Sequence, residues 1–249
     1  MTETTELYGG EVILEFNPGN HQYRVIIRGR KYKPLAVTRI CSIVDKPALI
    51  YWAIDNTLDV VKAAIGSGAE YSETYLTEVY RAARKSSQGI KKLAADEGKE
   101  IHQAIEGILR GGESLTGQCP QADGVVEWLR RNGYVVVEVE RRVYSRRHRY
   151  SGTLDAIAET DEGLWLLDWK TGKHIYAEHR LQTAAYVKAW EEETGRPIKG
   201  RIILHTRDEQ IRPYVVPVEA LKGDWSAFLG AKRLFEQVQK IEKELKKLK

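Results

Sequence analysis

The chain has 249 residues, of which 42% are hydrophobic and 30% are charged, and its net charge is +4. This length suits one large domain or two small ones, and the hydrophobic fraction is enough to bury a core, which argues against global disorder. No segment approaches the roughly 18 apolar residues of a membrane span. Residues 1–6 are polar and lack the apolar stretch of a signal peptide. We therefore expect a soluble, cytoplasmic protein with no membrane partner.

The cysteine content and the charge limit the cofactors and partners of the chain. Two cysteines, Cys41 and Cys119, are too few for a four-cysteine zinc site or a cysteine-ligated iron–sulfur cluster. The P-loop pattern G-x-x-x-x-G-K-[ST] does not occur in the sequence, so we expect no nucleotide cofactor. The small positive charge is compatible with a nucleic-acid partner but does not by itself indicate one.

The first half of the chain is predicted to be a hairpin followed by helices. Apolar residues alternate on either side of an Asn-Pro-Gly-Asn turn cluster at residues 17–20, which is the pattern of a β-hairpin. Apolar spacing and helix-ending glycines then predict helices over residues 47–64, 72–85, 87–109 and 121–131.

The second half is richer in strands, which are predicted over residues 134–144, 153–160, 164–170, 200–206 and 210–216. A helix over residues 177–193 separates the third strand from the fourth, and a charged helix over residues 225–249 ends the chain. This order predicts an α/β fold, with a mixed central β-sheet flanked by helices and a helical N-terminal section.

Three charged residues lie in the two most apolar predicted strands. Asp155 is in the middle of one strand, and Asp168 and Lys170 are at the end of the next. A two-residue loop of Glu162 and Gly163 would place Asp155 opposite Lys170, with Asp168 on the same face of the sheet. A three-residue loop would instead place Asp155 opposite Trp169, unless a bulge corrected the register.

Two carboxylates and a lysine on one sheet face suit metal-assisted hydrolysis of a phosphodiester. The carboxylates would hold Mg²⁺ or Mn²⁺, which prefer oxygen ligands. The lysine would orient or help to deprotonate the attacking water and stabilise the developing charge. The alternative is a buried salt-bridge cluster with no catalytic role, because structural ion-pair networks are common.

Four short motifs extend this pattern along the chain. They are Gly98 with His102, Gly152 with Asp155, Asp168-Trp169-Lys170, and Gln182 with Tyr186. In this order they match G-x-x-x-H, G-x-x-D, D-x-K and Q-x-x-x-Y. The chain therefore resembles the RecB-type branch of the PD-(D/E)xK nuclease superfamily, which has a restriction-endonuclease-like core. Leu154 stands where the superfamily's name has a proline.

The resemblance implies a role for each matched residue. His102, Asp155, Asp168 and the backbone carbonyl of Trp169 would bind the metal, and Lys170 would be the catalytic lysine beside the two aspartates. Gly152, Gln182 and Tyr186 would lie beside the DNA backbone near the scissile phosphate. From the residues alone, a histidine such as His102 beside an apolar helix stripe is usually structural. Gln182 and Tyr186 are likewise consistent with a surface and a half-buried core position. Glu140, in a β run before the site, is a further candidate for the acidic cluster.

Basic and aromatic residues alternate over residues 141–150, immediately before Gly152. Cations neutralise phosphates and rings stack on bases, so Arg147, Arg149 and Tyr150 are predicted to contact DNA. The alternative is an ordinary solvated turn. Arg180, which follows the D-x-K strand, is also predicted to hold the DNA strand. The lysine-rich tail over residues 240–249 alternates with glutamates and is predicted to be a solvated helix face.

The N-terminal third resembles phage and mitochondrial genome-maintenance exonucleases of the same branch. The similarity rests on Val37-Thr38, Asp45-Lys46, Leu49 and Trp52, with Ala36 in place of a serine. In those enzymes a helical section arches over the active site and single-stranded DNA threads beneath it. The resemblance thus predicts a hairpin and arching helical section over residues 1–95, a nuclease core over residues 96–249, and Arg39 near the DNA passage.

The leading hypothesis is a Mg²⁺- or Mn²⁺-dependent DNA exonuclease that acts on single-stranded or frayed ends in recombination, repair or replication. It would be found in the host cytoplasm if the gene is of phage origin. One alternative is a structure-specific endonuclease, or a nuclease subunit that works with a recombinase, a single-strand-binding protein or a helicase. Another is a non-catalytic DNA-binding protein with a relict site, against which the intact Asp155, Asp168 and Lys170 argue.

Overall fold

The computed structural model describes residues 2–44, 47–66, 72–112, 117–206 and 210–248. The chain divides into two compact units, one of Met1–Val44 with Ile101–Lys249 and one of Asp45–Glu100. The sequence placed the division between residues 95 and 96 and grouped the N-terminal hairpin with the helices. The structure groups that hairpin with residues 101–249, because its apolar face packs on a strand of the central sheet. The arching of the helical section stays a prediction.

The N-terminal sheet has four antiparallel strands in chain order. They are β1 (Glu3–Leu7), β2 (Val12–Asn17), β3 (Gln22–Ile27) and β4 (Arg30–Tyr32). The predicted hairpin is β2 and β3, in which Val12 pairs with Ile27. Leu14 and Val25 from this sheet are fully buried in a cluster with Tyr144 from the central sheet, and this burial fixes the N-terminal sheet on the core.

The central sheet is mixed, as predicted. Its strands are β5 (Leu35–Ala36), β6 (Val135–Ser145), β7 (Tyr150–Thr160), β8 (Gly163–Lys170), β9 (Ile198–His205) and β10 (Arg212–Val216). The order is β10-β9-β8-β7-β5, and β6 pairs with the other edge of β7. The β8–β9 and β5–β7 pairs are parallel, whereas the others are antiparallel.

Helices cover both faces of this sheet. These are α1 (Val37–Cys41), α4 (Pro120–Arg131), α5 (Ala177–Thr194), α6 (Ala220–Lys246) and the last turns of α3 (Glu73–Leu109). One face packs against α1, α5 and α6 in a cluster that includes Trp190 and Phe228. The other face packs against α4 and α3 in a cluster that includes Ile105 and Trp169. The α/β fold with a mixed, helix-flanked sheet is therefore confirmed.

The second unit consists of α2 (Pro47–Gly66) and most of α3. Two helices were predicted over residues 72–85 and 87–109, but α3 is a single helix of 37 residues. Residues 86–89 form helices poorly, yet they include no proline, and one glycine costs only about 1 kcal/mol in a helix interior. Within the described ranges, no helix is both long and apolar enough to cross a membrane.

Candidate active site

The two strands that bear the aspartates, β7 and β8, separate at Asp155 and Asp168. The β7–β8 ladder ends at the Ala156–Leu167 pair. Beyond it the Trp169 N–H donates to Asp155 Oδ2 at 2.7 Å, so a carboxylate replaces the next backbone acceptor of the ladder. Strand β6 occupies one edge of β7, so β8 and β5 share the opposite edge. On that edge β5 pairs only with Tyr150 and Ser151. Residues 152–155 thus border a gap in the sheet, which we call the fork.

The predicted hairpin register was wrong by two places. Thr160 pairs with Gly163, so the turn consists of Asp161 and Glu162 rather than Glu162 and Gly163. Continued by one residue beyond Ala156–Leu167, this register puts Asp155 opposite Asp168 instead of Lys170. Because side chains alternate with a period of two, a shift of two places preserves the shared face of all three residues.

Asp168 and Lys170 form a close pair at the fork. Lys170 Nζ lies 2.6 Å from Asp168 Oδ2, and the Asp168 side chain is completely buried. Asp168 Oδ1 is also buried and has no hydrogen-bond partner among the described residues. Burial raises the pKa of Asp168 to about 6, although the Lys170 charge opposes the rise.

A second group of ligand atoms lies beside Asp155. His102 Nδ1 is 3.7 Å from Asp155 Oδ1 and 3.9 Å from Glu140 Oε1. His102, Glu140 and Asp155 each offer one ligand atom, and these atoms all lie within 4.8 Å of one another. Burial alone would lower the pKa of His102, but the Asp155 and Glu140 carboxylates outweigh it and raise that pKa. Burial raises the pKa of Asp155, as it does that of Asp168.

Glu140 lies outside the four motifs, and the structure places it in the acidic cluster. It stands in β6 between Val139, which pairs with Ala156, and Arg141, which pairs with Leu154. Its φ of 47° lies in the left-handed region, which costs a non-glycine residue on the order of 1–3 kcal/mol. The sequence marked Glu140 as a candidate only by its place in the β run before the site. The structure adds a register shift between Val136 and Glu138, just before it in β6.

The motif residues of α5 pack directly on the strand that bears Asp155. A Cβ atom on Gly152 would lie 2.5 Å from Tyr186 Cε1 and 3.3 Å from Val37 Cγ2. Glycine therefore lets the buried Tyr186 ring lie against β7. Gln182 Nε2 donates to Tyr186 Oη at 3.1 Å, so the i and i+4 residues of α5 act as one unit. Burial raises the pKa of Tyr186 well above its ordinary value.

The predicted DNA-contacting residues are not all at the surface. Arg39, Arg147 and Arg149 are exposed. Tyr150 is completely buried, and its hydroxyl donates to the Ala185 carbonyl at 2.8 Å. The predicted base-stacking role of Tyr150 is therefore corrected, because no face of the ring is open to a base. Asp45 and Lys46 of the N-terminal similarity lie outside the described residues.

Arg180 is held by a carboxylate of α6. Its Nε and Nη2 atoms donate to Asp224 at 3.2 and 2.7 Å. Asp224 Oδ2 also accepts from the buried Arg201 at 2.7 Å. The Asp224 hydrogen bonds raise the pKa of Arg180. The structure thus joins Arg180 to a structural network rather than leaving its guanidinium free.

The donor set at the fork fits a divalent metal. Carboxylate oxygens with one imidazole suit Mg²⁺ or Mn²⁺. A buried carboxylate oxygen without a partner, Asp168 Oδ1, is costly unless a cation binds it. The structure brings His102 and Asp155 together with Glu140, whereas Asp168 lies beside this group and pairs with Lys170.

Two curated proteins and one solved structure are similar to part of this chain. Mitochondrial genome maintenance exonuclease 1 of Mus musculus is 28% identical over 163 residues, which cover 58% of this chain and 47% of that protein. The Homo sapiens protein of the same name is 27% identical over 155 residues, covering 53% and 43%. The chain thus spans about half the length of these relatives. The solved alkaline exonuclease of Laribacter hongkongensis is 13% identical to this chain, with a TM-score of 0.28. The similarity covers 49% of this chain and 70% of the solved chain.

The model of the PD-(D/E)XK nuclease superfamily matches residues 122–248, which include Asp155, Asp168, Lys170, Gln182 and Tyr186. The match covers half of the chain and all but one of its four motifs. The predicted resemblance is thereby confirmed, and the chain belongs to the PD-(D/E)XK nuclease superfamily.

Proposed function

We propose that the chain is a divalent-metal-dependent DNA exonuclease that hydrolyses phosphodiester bonds at single-stranded or frayed ends. The observation that carries this proposal is the fork, where Asp155, Asp168 and Lys170 converge around a buried carboxylate oxygen that has no described partner. A cation bound at that oxygen would compensate for its burial. The relatives named above are exonucleases, which favours attack at DNA ends.

The residues that would hold the metal come from four elements. Asp155, Asp168, His102 and Glu140 supply side-chain donors. Trp169 would supply its carbonyl, because its N–H faces Asp155 and the two backbone groups of a strand residue point to the same edge. A bound Mg²⁺ or Mn²⁺ would activate a water molecule and offset negative charge on the phosphate.

Lys170 acts as a hydrogen-bond donor and a fixed positive charge. Burial alone would lower its pKa, but the Asp168 and Asp155 carboxylates outweigh burial and raise it. A lysine with a raised pKa is protonated at neutral pH and does not accept a proton. Its ammonium therefore orients the attacking water and stabilises negative charge that develops on the phosphate oxygens.

The Gln182–Tyr186 unit positions the DNA backbone. Tyr186 is fixed by packing against Gly152, and its hydroxyl is bonded to Gln182, which is partly exposed. Gln182 thus presents an amide toward the substrate from a rigid support. Arg39, Arg147 and Arg149 supply exposed charge for phosphates farther along the strand.

Cleavage of three labelled DNA forms tests this function. End-labelled single strands, linear duplex and closed circles would be incubated with Mg²⁺, Mn²⁺ or EDTA. We expect linear DNA to shorten and circles to survive, and we expect EDTA or Asp168→Asn to stop the reaction. Asp161→Asn is the matched control, because Asp161 is an exposed aspartate in the turn of the same hairpin.

Each alternative has its own outcome in this experiment. Cleavage of closed circles would show an endonuclease and refute the exonuclease proposal. DNA binding by the wild type without cleavage in either metal would show a non-catalytic binding protein. Equal activity of Asp168→Asn and wild type would show that the fork is not the catalytic site.

A further inference from the structure

A groove of 600 Å³ runs between the N-terminal sheet and the last turns of α6. Its lining includes Tyr23, Lys33, Arg39, Phe235, Lys240 and Lys243. All of these residues belong to the same compact unit as the fork. The groove is separate from the ligand atoms described above, and it includes two lysines of the tail that the sequence predicted to be a solvated face.

The groove carries positive charge that the protein does not neutralise. Lys33, Arg39, Lys240 and Lys243 are exposed, and within the described ranges none of them forms an ion pair. Among the described lining residues, Glu236 is acidic, and it lies 2.5 Å from Lys232 Nζ. By contrast, the exposed Arg130 and Arg131 both bond to Glu127. Unpaired cations in a concave surface attract a polyanion.

Aromatic rings lie beside these cations. The Arg39 guanidinium lies over the Phe235 ring, 5.6 Å from its centroid. Tyr23, at the other side of the groove, is partly exposed and packs at 4.8 Å against Phe16. Grooves that bind single-stranded nucleic acid combine cations for the phosphates with rings for the bases.

Tyr23 connects the groove to the fork. Its hydroxyl lies 2.9 Å from Thr153 Oγ1, and Thr153 is in β7 between Gly152 and Asp155. Burial raises the pKa of Tyr23 to about 12, with a contribution from the Glu140 carboxylate of the acidic cluster. The groove therefore adjoins the edge of the fork at this tyrosine.

The basic lining continues along one face of α6. A second cavity is lined by Lys232, Arg233 and Glu236 of α6 together with Arg147 and Arg149 of the β6–β7 turn. Glu236 lines both cavities. Lys232 to Lys243 spans about 16 Å at 1.5 Å per residue. That length matches about five phosphates of a stacked strand at 3.4 Å spacing.

We propose that this face of α6, with Lys33 and Arg39 opposite it, binds the phosphate backbone of single-stranded DNA over about five nucleotides beyond the scissile phosphate. The inference rests on the proposed function in that DNA is taken as the substrate. It assigns a role to Lys240 and Lys243 that neither the motifs nor the family match provides. It also includes Arg147 and Arg149 in this phosphate-binding surface, which we call the track.

The salt dependence of binding tests the track. Fluorescence anisotropy of a labelled oligothymidylate of about 20 nucleotides, in EDTA, would give the affinity between about 50 and 200 mM salt. Each phosphate contact to a single strand contributes about 0.7 to the slope of log K against log salt. We expect Lys240→Ala/Lys243→Ala to lower the slope by about 1.4 and the affinity at 0.1 M salt by on the order of 10-fold.

Lys199→Ala/Lys222→Ala is the matched control, since it removes the same charge from exposed residues that line neither cavity. Lys33→Ala is a second test on a different element, with an expected slope change of about 0.7. An unchanged slope in the groove variants, or an equal loss in the control, overturns the inference. Cleavage by the wild type is scored separately. A cleaving wild type with unchanged groove variants refutes only the track, whereas groove-dependent binding without cleavage refutes only the nuclease function.

Discussion

The Lys170 ammonium lies 2.6 Å from a completely buried carboxylate of Asp168. Each charge makes the burial of the other possible, because an isolated buried charge costs several kcal/mol. The pair therefore has a proposed catalytic role and also a cost to stability when either partner is removed. This double character makes its contribution to stability measurable apart from its contribution to cleavage.

Replacing Lys170 with methionine should abolish cleavage and lower the free energy of unfolding by about 3 kcal/mol, because Asp168 is left buried without its cation. The double variant Asp168→Asn/Lys170→Met should be less destabilised than Lys170→Met alone, since no buried charge remains. Urea unfolding of the two single variants and the double variant gives the coupling energy. Additive effects would mean that the two side chains do not interact in solution.

Metal binding should strengthen as the pH rises. In the metal-free protein burial raises the pKa of Asp168 to about 6, so the folded state favours the protonated acid. This contribution to stability is complete below the unfolded pKa of about 4 and is lost as the pH rises through about 6. A metal must displace that proton, so we expect about tenfold weaker Mn²⁺ affinity at pH 5 than at pH 7.

Isothermal titration of Mn²⁺ at several pH values measures this dependence. Asp168→Asn removes only the share of the pH dependence that belongs to this carboxyl, because His102 and Asp155, whose pKa values are also raised, still titrate. An equally steep pH dependence in the variant and the wild type would show that Asp168 is already ionised at pH 5.

Gly152→Ala should lower the free energy of unfolding by about 2 kcal/mol through overpacking. The new Cβ would meet the Tyr186 ring at 2.5 Å, and the ring is held in the core. Gly223→Ala is the matched control, because a Cβ there meets no atom within 4 Å and alanine favours a helix. Thermal melting compares the two. Equal melting temperatures would show that Tyr186 moves aside freely.

Arg180→Ala should lower stability without changing the salt slope of DNA binding. The side chain donates two hydrogen bonds to Asp224, which also holds the buried Arg201. Removing the Arg180 side chain leaves the Asp224 carboxylate with fewer hydrogen bonds. We expect this to lower the free energy of unfolding by about 1–2 kcal/mol, since the pair is partly exposed. A slope reduced by about 0.7 would instead support the sequence-based prediction of a phosphate contact.

The sequence predicted the residues of the site better than their mutual geometry. Asp155, Asp168 and Lys170 stand out because charges are rare inside apolar strands, and this is a local property. The register depends on which residues form the turn, and Glu162-Gly163 and Asp161-Glu162 are both two-residue loops. Side chains alternate along a strand with a period of two, so the prediction that the three residues share a face survived the shift in register, although the predicted facing pair did not.

Positions that depend on distant contacts were harder to predict. Tyr150 follows an arginine-rich segment and resembles a DNA-stacking residue in sequence, but Trp225 and Phe228 of α6 enclose its ring. Glu140 enters the acidic cluster through an unusual backbone conformation that no local pattern announces. The strands β1, β4 and β5 are short or polar, so their pairing comes from the surrounding sheets.

The two-residue strand β5 closes the fork at the end nearest Gly152. It does so by pairing with Tyr150 and Ser151, more than one hundred positions away in the chain. Because translation runs from the amino terminus, Leu35 and Ala36 are already made when Tyr150 and Ser151 emerge. The gap nevertheless has no boundary until the amino-terminal segment packs against β7. The closure of the fork is therefore a step of tertiary folding and not of local hairpin formation.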